Sequence, residues 1–390
     1  MRLKLQHVGP IAEADLVFGD LTVLVGPQAS GKSIALQMLK LVVDTGYVQE
    51  MMTKHGLDWS GKLPEFFDAY FGEGMRGIWN DARSSVFLNG KPVDMSKLVG
   101  RRMCKKKESL FFIPAQRVLA LRDGWPRPFS DYSAGDPFAV REFSERLRVL
   151  VEKEFGASEN LFPQERRLKG EFRQMLERSV FAKFRLQVDK VRAQKRLVLG
   201  AAGQPLPFMV WSAGQREFVP LLLGFYWLIP PTSVTRRGDI QWVVLEELEM
   251  GLHPRAISVV VLMVLELVAR GYRVCVSTHS PQVLEAVWAL RHLKALRHLK
   301  EDQAHADALL NAFDAPITQK MRILARTVMA KNVAVYYFDG GTGRTRDISA
   351  LDPADEESGE GGWGGLTEFS ARVNAAVADA VANCDGERQS

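Results

Sequence analysis

The sequence predicts an α/β fold: a core sheet flanked by helices, preceded by an N-terminal antiparallel β subdomain and interrupted by an inserted helical subdomain. Three observations predict it. Leu21–Val25 is a continuous apolar run that ends in a glycine-bearing loop, and Ile34–Val43 then reads as an amphipathic helix. Gln241–Leu245 and Arg273–Ser277 are two further buried strands, interleaved with the apolar helical stretches Arg216–Leu228 and Arg255–Ala269, as a helix-covered sheet requires. Met1–Leu5 and Ala14–Phe18 are short and alternate in polarity, the pattern of strands with one wet face.

The remaining segments fill in around these. Residues 44–109 read as an insertion, with a helix over Pro64–Phe71 and a hairpin over Ser84–Val93 whose Asn89-Gly90 pair is a strong turn signal. Arg101–Lys107 is a basic run, and Leu110–Ile113 is an apolar strand ending at Pro114, followed by Gln116-Arg117. Residues 130–210 read as a helical and β insertion: a charged helical pattern over Phe138–Phe181, broken near Gly156 and Pro163, then a β pair formed by Phe184–Val188 and Arg196–Leu199. Together these give one domain over residues 1–345. Residues 346–390 form an acidic, Gly-rich linker and a final helix over Leu366–Ala382. Ala289–Lys294 and Ala295–Lys300 are the same hexapeptide in tandem, a local duplication too small to build a repeat architecture.

Composition narrows the class. Of the 390 residues, 46% are hydrophobic and 25% charged, enough apolar content for a large core. Cys104, Cys275 and Cys384 are scattered, which excludes a disulfide framework or a zinc site of ordinary spacing and fits a reducing, cytoplasmic setting. The most apolar stretches, Phe218–Pro231 and Ile257–Ala269, fall short of the roughly 18–20 residues needed to cross a bilayer, so no membrane role is expected. The net charge of +5 is uneven: residues 351–390 carry −7 and the rest +12. A basic body suits nucleic acid or an acidic partner, and equally a solvated surface.

Four motifs carry the chemistry. Gly26-Pro27-Gln28-Ala29-Ser30-Gly31-Lys32-Ser33 matches GxxxxGK[ST], and it stands between a strand and a helix. Such a loop turns backbone N–H groups and a helix N-terminus toward phosphates, with Lys32 reaching the β and γ phosphates and the Ser33 hydroxyl offered to Mg²⁺. Val243–Glu247 is an apolar strand ending in two carboxylates, one suited to hold Mg²⁺ and the next to polarise an attacking water. Ser212-Ala213-Gly214-Gln215 is a small polar loop at the start of a helix, about 30 residues before the carboxylates. His279 stands after the next strand and could meet the γ-phosphate or the attacking water.

The order and spacing of these motifs resemble the ABC ATPases, specifically the soluble SMC-like and OLD-like branch. Glu246-Glu247-Leu248-Glu249-Met250-Gly251-Leu252-His253-Pro254 is similar to the Glu-Glu-Pro-Glu…Leu-His-Pro segment of OLD-like members, with Leu248 where proline is common and Glu246 in place of the more usual aspartate. The resemblance covers about residues 1–345. It implies an ABC-type P-loop ATPase head, with Gly26–Ser33 as Walker A and Gln116 as the Q-loop glutamine, a contact for Mg²⁺ and water. Ser212–Gln215 is then the signature loop, Glu246 the Walker B metal ligand, Glu247 the catalytic glutamate, Met250–His253 the D-loop and His279 the switch histidine.

The same resemblance implies ATP hydrolysis with ATP and Mg²⁺, in a head-to-tail dimer, or a higher oligomer, where one subunit's signature loop completes the other's ATP site. Only about 110 residues follow His279, so no nuclease domain of the OLD type is expected in this chain. A stand-alone ATPase of this size resembles the ATPase subunits of bacterial anti-phage systems of the Septu and PARIS types, which implies a separately encoded effector such as a nuclease. The alternatives are a RecF-like DNA-repair ATPase, with Arg101–Lys107 and Arg291–Lys300 as DNA-binding surfaces, and an ABC transporter ATPase, which the wording around His253 disfavours.

Overall fold

The computed structural model describes residues 1–100, 107–155, 160–191, 194–201, 204–231, 235–296 and 302–350, together with 363, 365–367, 370 and 372–378. In chain order the elements are β1 (Arg2–Val8), β2 (Ile11–Val17), β3 (Leu21–Val25), α1 (Lys32–Lys54), α2 (Leu63–Phe71), β4 (Ser85–Leu88), β5 (Lys91–Pro92), α3 (Met95–Gly100) and β6 (Leu110–Ile113). Then come β7 (Leu121–Arg122), β8 (Trp125–Pro126), α4 (Phe138–Val149), β9 (Asn160–Phe162), α5 (Gly170–Leu176), β10 (Arg185–Val191), β11 (Gln194–Ala201), β12 (Gln204–Pro207) and α6 (Ala213–Leu228). The last third holds β13 (Trp242–Glu246), α7 (Pro254–Ala269), β14 (Arg273–Ser277), α8 (Pro281–Leu296), α9 (Asp302–Ala312), α10 (Gln319–Met329), β15 (Val333–Phe338) and β16 (Thr345–Asp347).

A six-stranded sheet in the order β16-β15-β3-β14-β13-β6 forms the centre. Its strands pair in parallel except β16, which runs antiparallel along the β15 edge. Alternation along these strands divides the interior into two cores. Leu21, Val23, Val25, Phe111, Ile113, Val243, Leu245, Val274 and Val276 face a core shared with α6, α7, α8 and α10. Leu24, Leu110, Phe112, Trp242, Val244 and Cys275 face the other, shared with α1, α2 and the N-terminal strands. Covered on both faces, β3 and β13 are buried along their whole length, which is why their sequences read as unbroken apolar runs.

The N-terminal sheet is antiparallel, in the order β2-β1-β4-β5. Asn89 and Gly90 both have positive φ (52° and 78°), the conformation that a two-residue hairpin turn needs and that this pair tolerates. β4 pairs with β1, so part of the stretch 44–109 belongs to the N-terminal sheet, and α1 runs ten residues beyond Asp44, where its backbone kinks. Between α4 and α6 lies a second antiparallel sheet, β12-β11-β10-β9. The break near Pro163 in the helical pattern is the short strand β9, paired to β10.

Among the described residues, no helix is long and apolar enough to cross a membrane. Trp363, in the Gly-rich tail, is buried in the larger core together with Ile348. Residues 372–378 are helical, as expected for part of Leu366–Ala382. The basic residues 101–106, residues 297–300 of the duplication and residues 351–362 of the acidic tail lie outside the described residues.

Candidate functional site

Because β3, β14, β13 and β6 are parallel, their carboxyl ends meet on one edge of the sheet, where α/β folds place their ligands. Gly26–Ser33 leaves the end of β3. A side chain at Gly26 (φ 141°) would run into the Phe338 carbonyl, and one at Gly31 (φ 98°) would press on Ile11, so both positions need glycine to let the loop lie against its neighbours. Ala29 also has positive φ (59°). The tip, Pro27–Ala29, is exposed, whereas Ser30 and Lys32 are buried. Gly31 caps α1 without a side-chain acceptor, and no acidic residue stands in the first turn, so the helix's own residues supply no negative group at its positive end.

Lys32 Nζ donates to the carbonyls of Gly26 (2.8 Å) and Pro27 (2.7 Å), which holds the ammonium under the loop. Burial pushes its pKa down to about 8, against the pull of Glu247, Glu249 and Glu246. At neutral pH it remains a cation, poised beside the loop's amides.

β13 delivers Glu246 into the interior, level with Ser277 of β14. One oxygen, Oε2, accepts from the Ala115 N–H (3.2 Å), and the other, Oε1, is buried with no hydrogen-bond partner. Burial raises this carboxyl to about 7, and the neighbouring Ser33 hydroxyl draws it back down. A buried, under-satisfied carboxylate oxygen next to a Ser hydroxyl is an all-oxygen donor pair, which fits a hard cation such as Mg²⁺.

Glu247 turns the chain away from the strand. Its φ is 45°, a left-handed conformation costly for a residue with a side chain. Its N–H donates to the Ser277 carbonyl (2.9 Å) and its own carbonyl accepts two N–H groups of Arg117 (both 3.1 Å). The carboxylate is partly exposed, with Oε1 3.8 Å from His279 Nε2. Burial first, then the Lys32 charge, lowers the pKa of His279, so the imidazole is neutral at pH 7. Its backbone N–H donates to Glu249 Oε1 (2.6 Å), while Glu249 Oε2 is buried without a partner.

The structure therefore brings Lys32, Ser33, Glu246, Glu247 and His279 into one cluster at the sheet edge. Gln116 follows Ala115 but is exposed, and among the described residues its side chain makes no hydrogen bond to that cluster. Among the described residues, Ser212–Gln215 likewise makes no hydrogen bond to those side chains. Ser212 caps α6 in a capping box, its hydroxyl accepting from the Gln215 N–H (3.2 Å) while the Gln215 side chain accepts from the Ser212 N–H (3.1 Å). Ser212 and Ala213 are exposed, and a Cβ on Gly214 would lie 3.0 Å from the Gly251 carbonyl. In the turn Met250–His253, His253 caps α7 by accepting from the Arg255 N–H (3.2 Å), with Pro254 opening the helix.

Two residues of the site were not among the sequence candidates. Glu249 holds the backbone at His279, and Arg117, fully buried, binds the carbonyls of Glu246 and Glu247. The available signals were the third carboxylate of Glu246–Glu249 and the arginine directly after Gln116.

Residues 120–285 match the family described as "AAA domain, putative AbiEii toxin, Type IV TA system". Among solved structures, the chain is similar to an SmcHead bound to the C-winged helix domain of ScpA (12% identity, 73% of this chain and 91% of that one, TM-score 0.38). It is likewise similar to the SMC head domain from Thermotoga maritima (14% identity, 73% and 90%, TM-score 0.30). A third is the Smc head domain with an extended coiled coil, bound to the C-terminal domain of ScpA derived from Pyrococcus furiosus (11% identity, 73% and 90%, TM-score 0.35). No curated protein matches the chain. The glycine loop leads from a central strand into α1, and the sheets give the chain a mixed α/β fold, a helix-flanked core sheet with an antiparallel N-terminal sheet.

Proposed function

We propose that this chain binds ATP with Mg²⁺ on Gly26–Ser33 and hydrolyses it, and that it does so as a head-to-tail dimer. The observation that carries the reading is the convergence of Lys32, Ser33, Glu246, Glu247 and His279 on one sheet edge from positions up to 247 residues apart in sequence. Lys32 and the α1 N-terminus bind and orient the phosphates. Ser33 and Glu246 would hold Mg²⁺, and Gln116 would add a ligand from the adjoining loop; such an ion would neutralise charge on the phosphates. Glu247 accepts the proton of the attacking water, and neutral His279 donates a hydrogen bond to the γ-phosphate or orients that water.

The exposed Ser212–Gln215 cap supports the dimer. Ser212 and Ala213 lie on the surface, where a second copy's nucleotide could meet them. Glu247→Gln tests the assignment. It should cut ATP turnover by about two to four orders of magnitude, since that is what a general base contributes. ATP binding should persist, and the closed dimer should accumulate in sedimentation. Wild-type turnover in this variant would remove Glu247 from the role.

Beyond the chemistry, we read the protein as a dimerising, nucleotide-driven switch, sensor or scaffold for a separately encoded effector, such as a nuclease, in prokaryotic anti-phage defence. The description of the family matched by residues 120–285 includes a toxin of a toxin–antitoxin system, which supports a role within a multi-component system. Co-purification with the product of a neighbouring gene tests this. DNA-stimulated turnover that weakens steeply with salt would favour the RecF-like alternative instead.

A further inference from the structure

Arg117 is fully buried, yet it carries five N–H donors and no acceptor. Its Nη1 donates to the carbonyls of Glu246 (3.0 Å) and Glu247 (3.1 Å), and its Nη2 again to Glu247 (3.1 Å). Its Nε donates to the carbonyl of Glu217 on α6 (3.2 Å) and lies 3.6 Å from the Glu217 carboxylate, whose Oε2 is buried without a hydrogen bond. One planar guanidinium thus joins two elements: the turn after β13 and the second turn of α6. A lysine carries its three donors on one nitrogen and lacks the planar fork that reaches both elements here.

Both ends of this clamp matter. On one side is Glu247, the residue whose backbone sits at φ 45° and whose carboxylate lies 3.8 Å from His279. A strained conformation of this kind persists only where its surroundings over-determine it, and here the Arg117 bonds and the Ser277 carbonyl do so. On the other side is α6, whose N-terminal cap is Ser212–Gln215. The two elements also touch directly. A Cβ on Gly251 would lie 3.1 Å from Glu217 Cγ, and one on Gly214 3.0 Å from the Gly251 carbonyl.

We propose that Arg117 is a positioning residue that, with Glu217, locks the Glu247 turn to the helix bearing the Ser212–Gln215 loop, so that the catalytic carboxylate and that loop move as one body. The proposal rests on the ATPase reading above. Gln116 is the residue before Arg117, so a displacement at the glutamine reaches both elements through the same guanidinium.

The test is a mutant cycle of Arg117→Lys, Glu217→Gln and the double variant, with kcat, KM, ATP affinity from a fluorescent analogue, and melting temperature. Arg117→Lys should lower kcat by about a hundredfold, as a misplacement of about 1 Å does. KM and ATP affinity should stay within about threefold, because an interaction felt only in the transition state leaves ground-state binding alone. Glu217→Gln should lose about tenfold, and the double variant no more than Arg117→Lys, since partners in one network are not additive. Wild-type kcat in Arg117→Lys, or losses that multiply in the double variant, would overturn the clamp. If Arg117→Lys does not fold, Glu217→Gln decides, and wild-type kcat there overturns the clamp. Glu247→Gln in parallel separates the two claims. If it is active while Arg117→Lys is impaired, the choice of base is wrong; if it is inactive while Arg117→Lys is normal, the clamp is wrong.

Discussion

The two polar loops of the site are built in opposite ways. Gly26–Ser33 hangs from a buried strand, two of its glycines are pressed against neighbours, and its lysine is sequestered under the loop. Ser212–Gln215 is exposed at Ser212 and Ala213, and its capping-box hydrogen bonds close on itself. The first is held in shape by tertiary contacts. The second is locally stable and outwardly unspent. A loop's role can thus be read from who satisfies its polar groups: its own fold, or something still to arrive.

The most severe test of this contrast sets Lys32→Ala against Ser212→Arg. Lys32→Ala should weaken ATP binding by about a hundredfold or more, as losing the buried partner of a charge does. Ser212→Arg should leave ATP binding to the isolated chain nearly unchanged while abolishing ATP-dependent dimerisation and turnover. Equal losses of binding, measured by titration with a fluorescent ATP analogue, would mean that both loops serve one chain's own site.

A smaller effect concerns Glu246, the proposed metal ligand. Burial holds the Glu246 carboxyl at about 7, above its ordinary 4.5. Between those values the folded chain holds a proton that the unfolded chain has lost, so stability from this group declines as pH rises, and the penalty is complete above about pH 7. Without Mg²⁺, Glu246→Gln should therefore melt above wild type at pH 8, and the gap should close as pH falls through 7 toward 4.5. The variant should also lose stabilisation by added Mg²⁺. A gap independent of pH would sink the argument.

The smallest expected effect is at the cap. Ser212→Ala removes the acceptor for the Gln215 N–H and should cost about 1 kcal/mol of stability. Guanidinium unfolding measures it, and a loss of several kcal/mol would show that the loop is tied into the body after all.

Much of this was legible in the sequence. β3, β6 and β14 lie where their apolar runs predict, because strands buried on both faces leave an unbroken signature. The glycine loop was legible because its chemistry is local: phosphate-facing amides need glycines at fixed spacing. β15 carried no motif, and only pairing shows that it lies beside β3. Helical periodicity also hid β9, since a three-residue strand is too short to announce its own period.

Within the site the same division holds. Residue type and spacing singled out Gly26–Ser33, Glu246, Glu247 and His279, which the folded chain brings to one sheet edge. How they are held came from the folded chain alone. Arg117 reaches Glu246 and Glu247 across about 130 residues because β6 and β13 are neighbours, and Glu249 meets His279 because β13 and β14 are. Which side chains a buried guanidinium or an orphaned carboxylate oxygen will find depends on burial and strand order. Neither is written in local spacing.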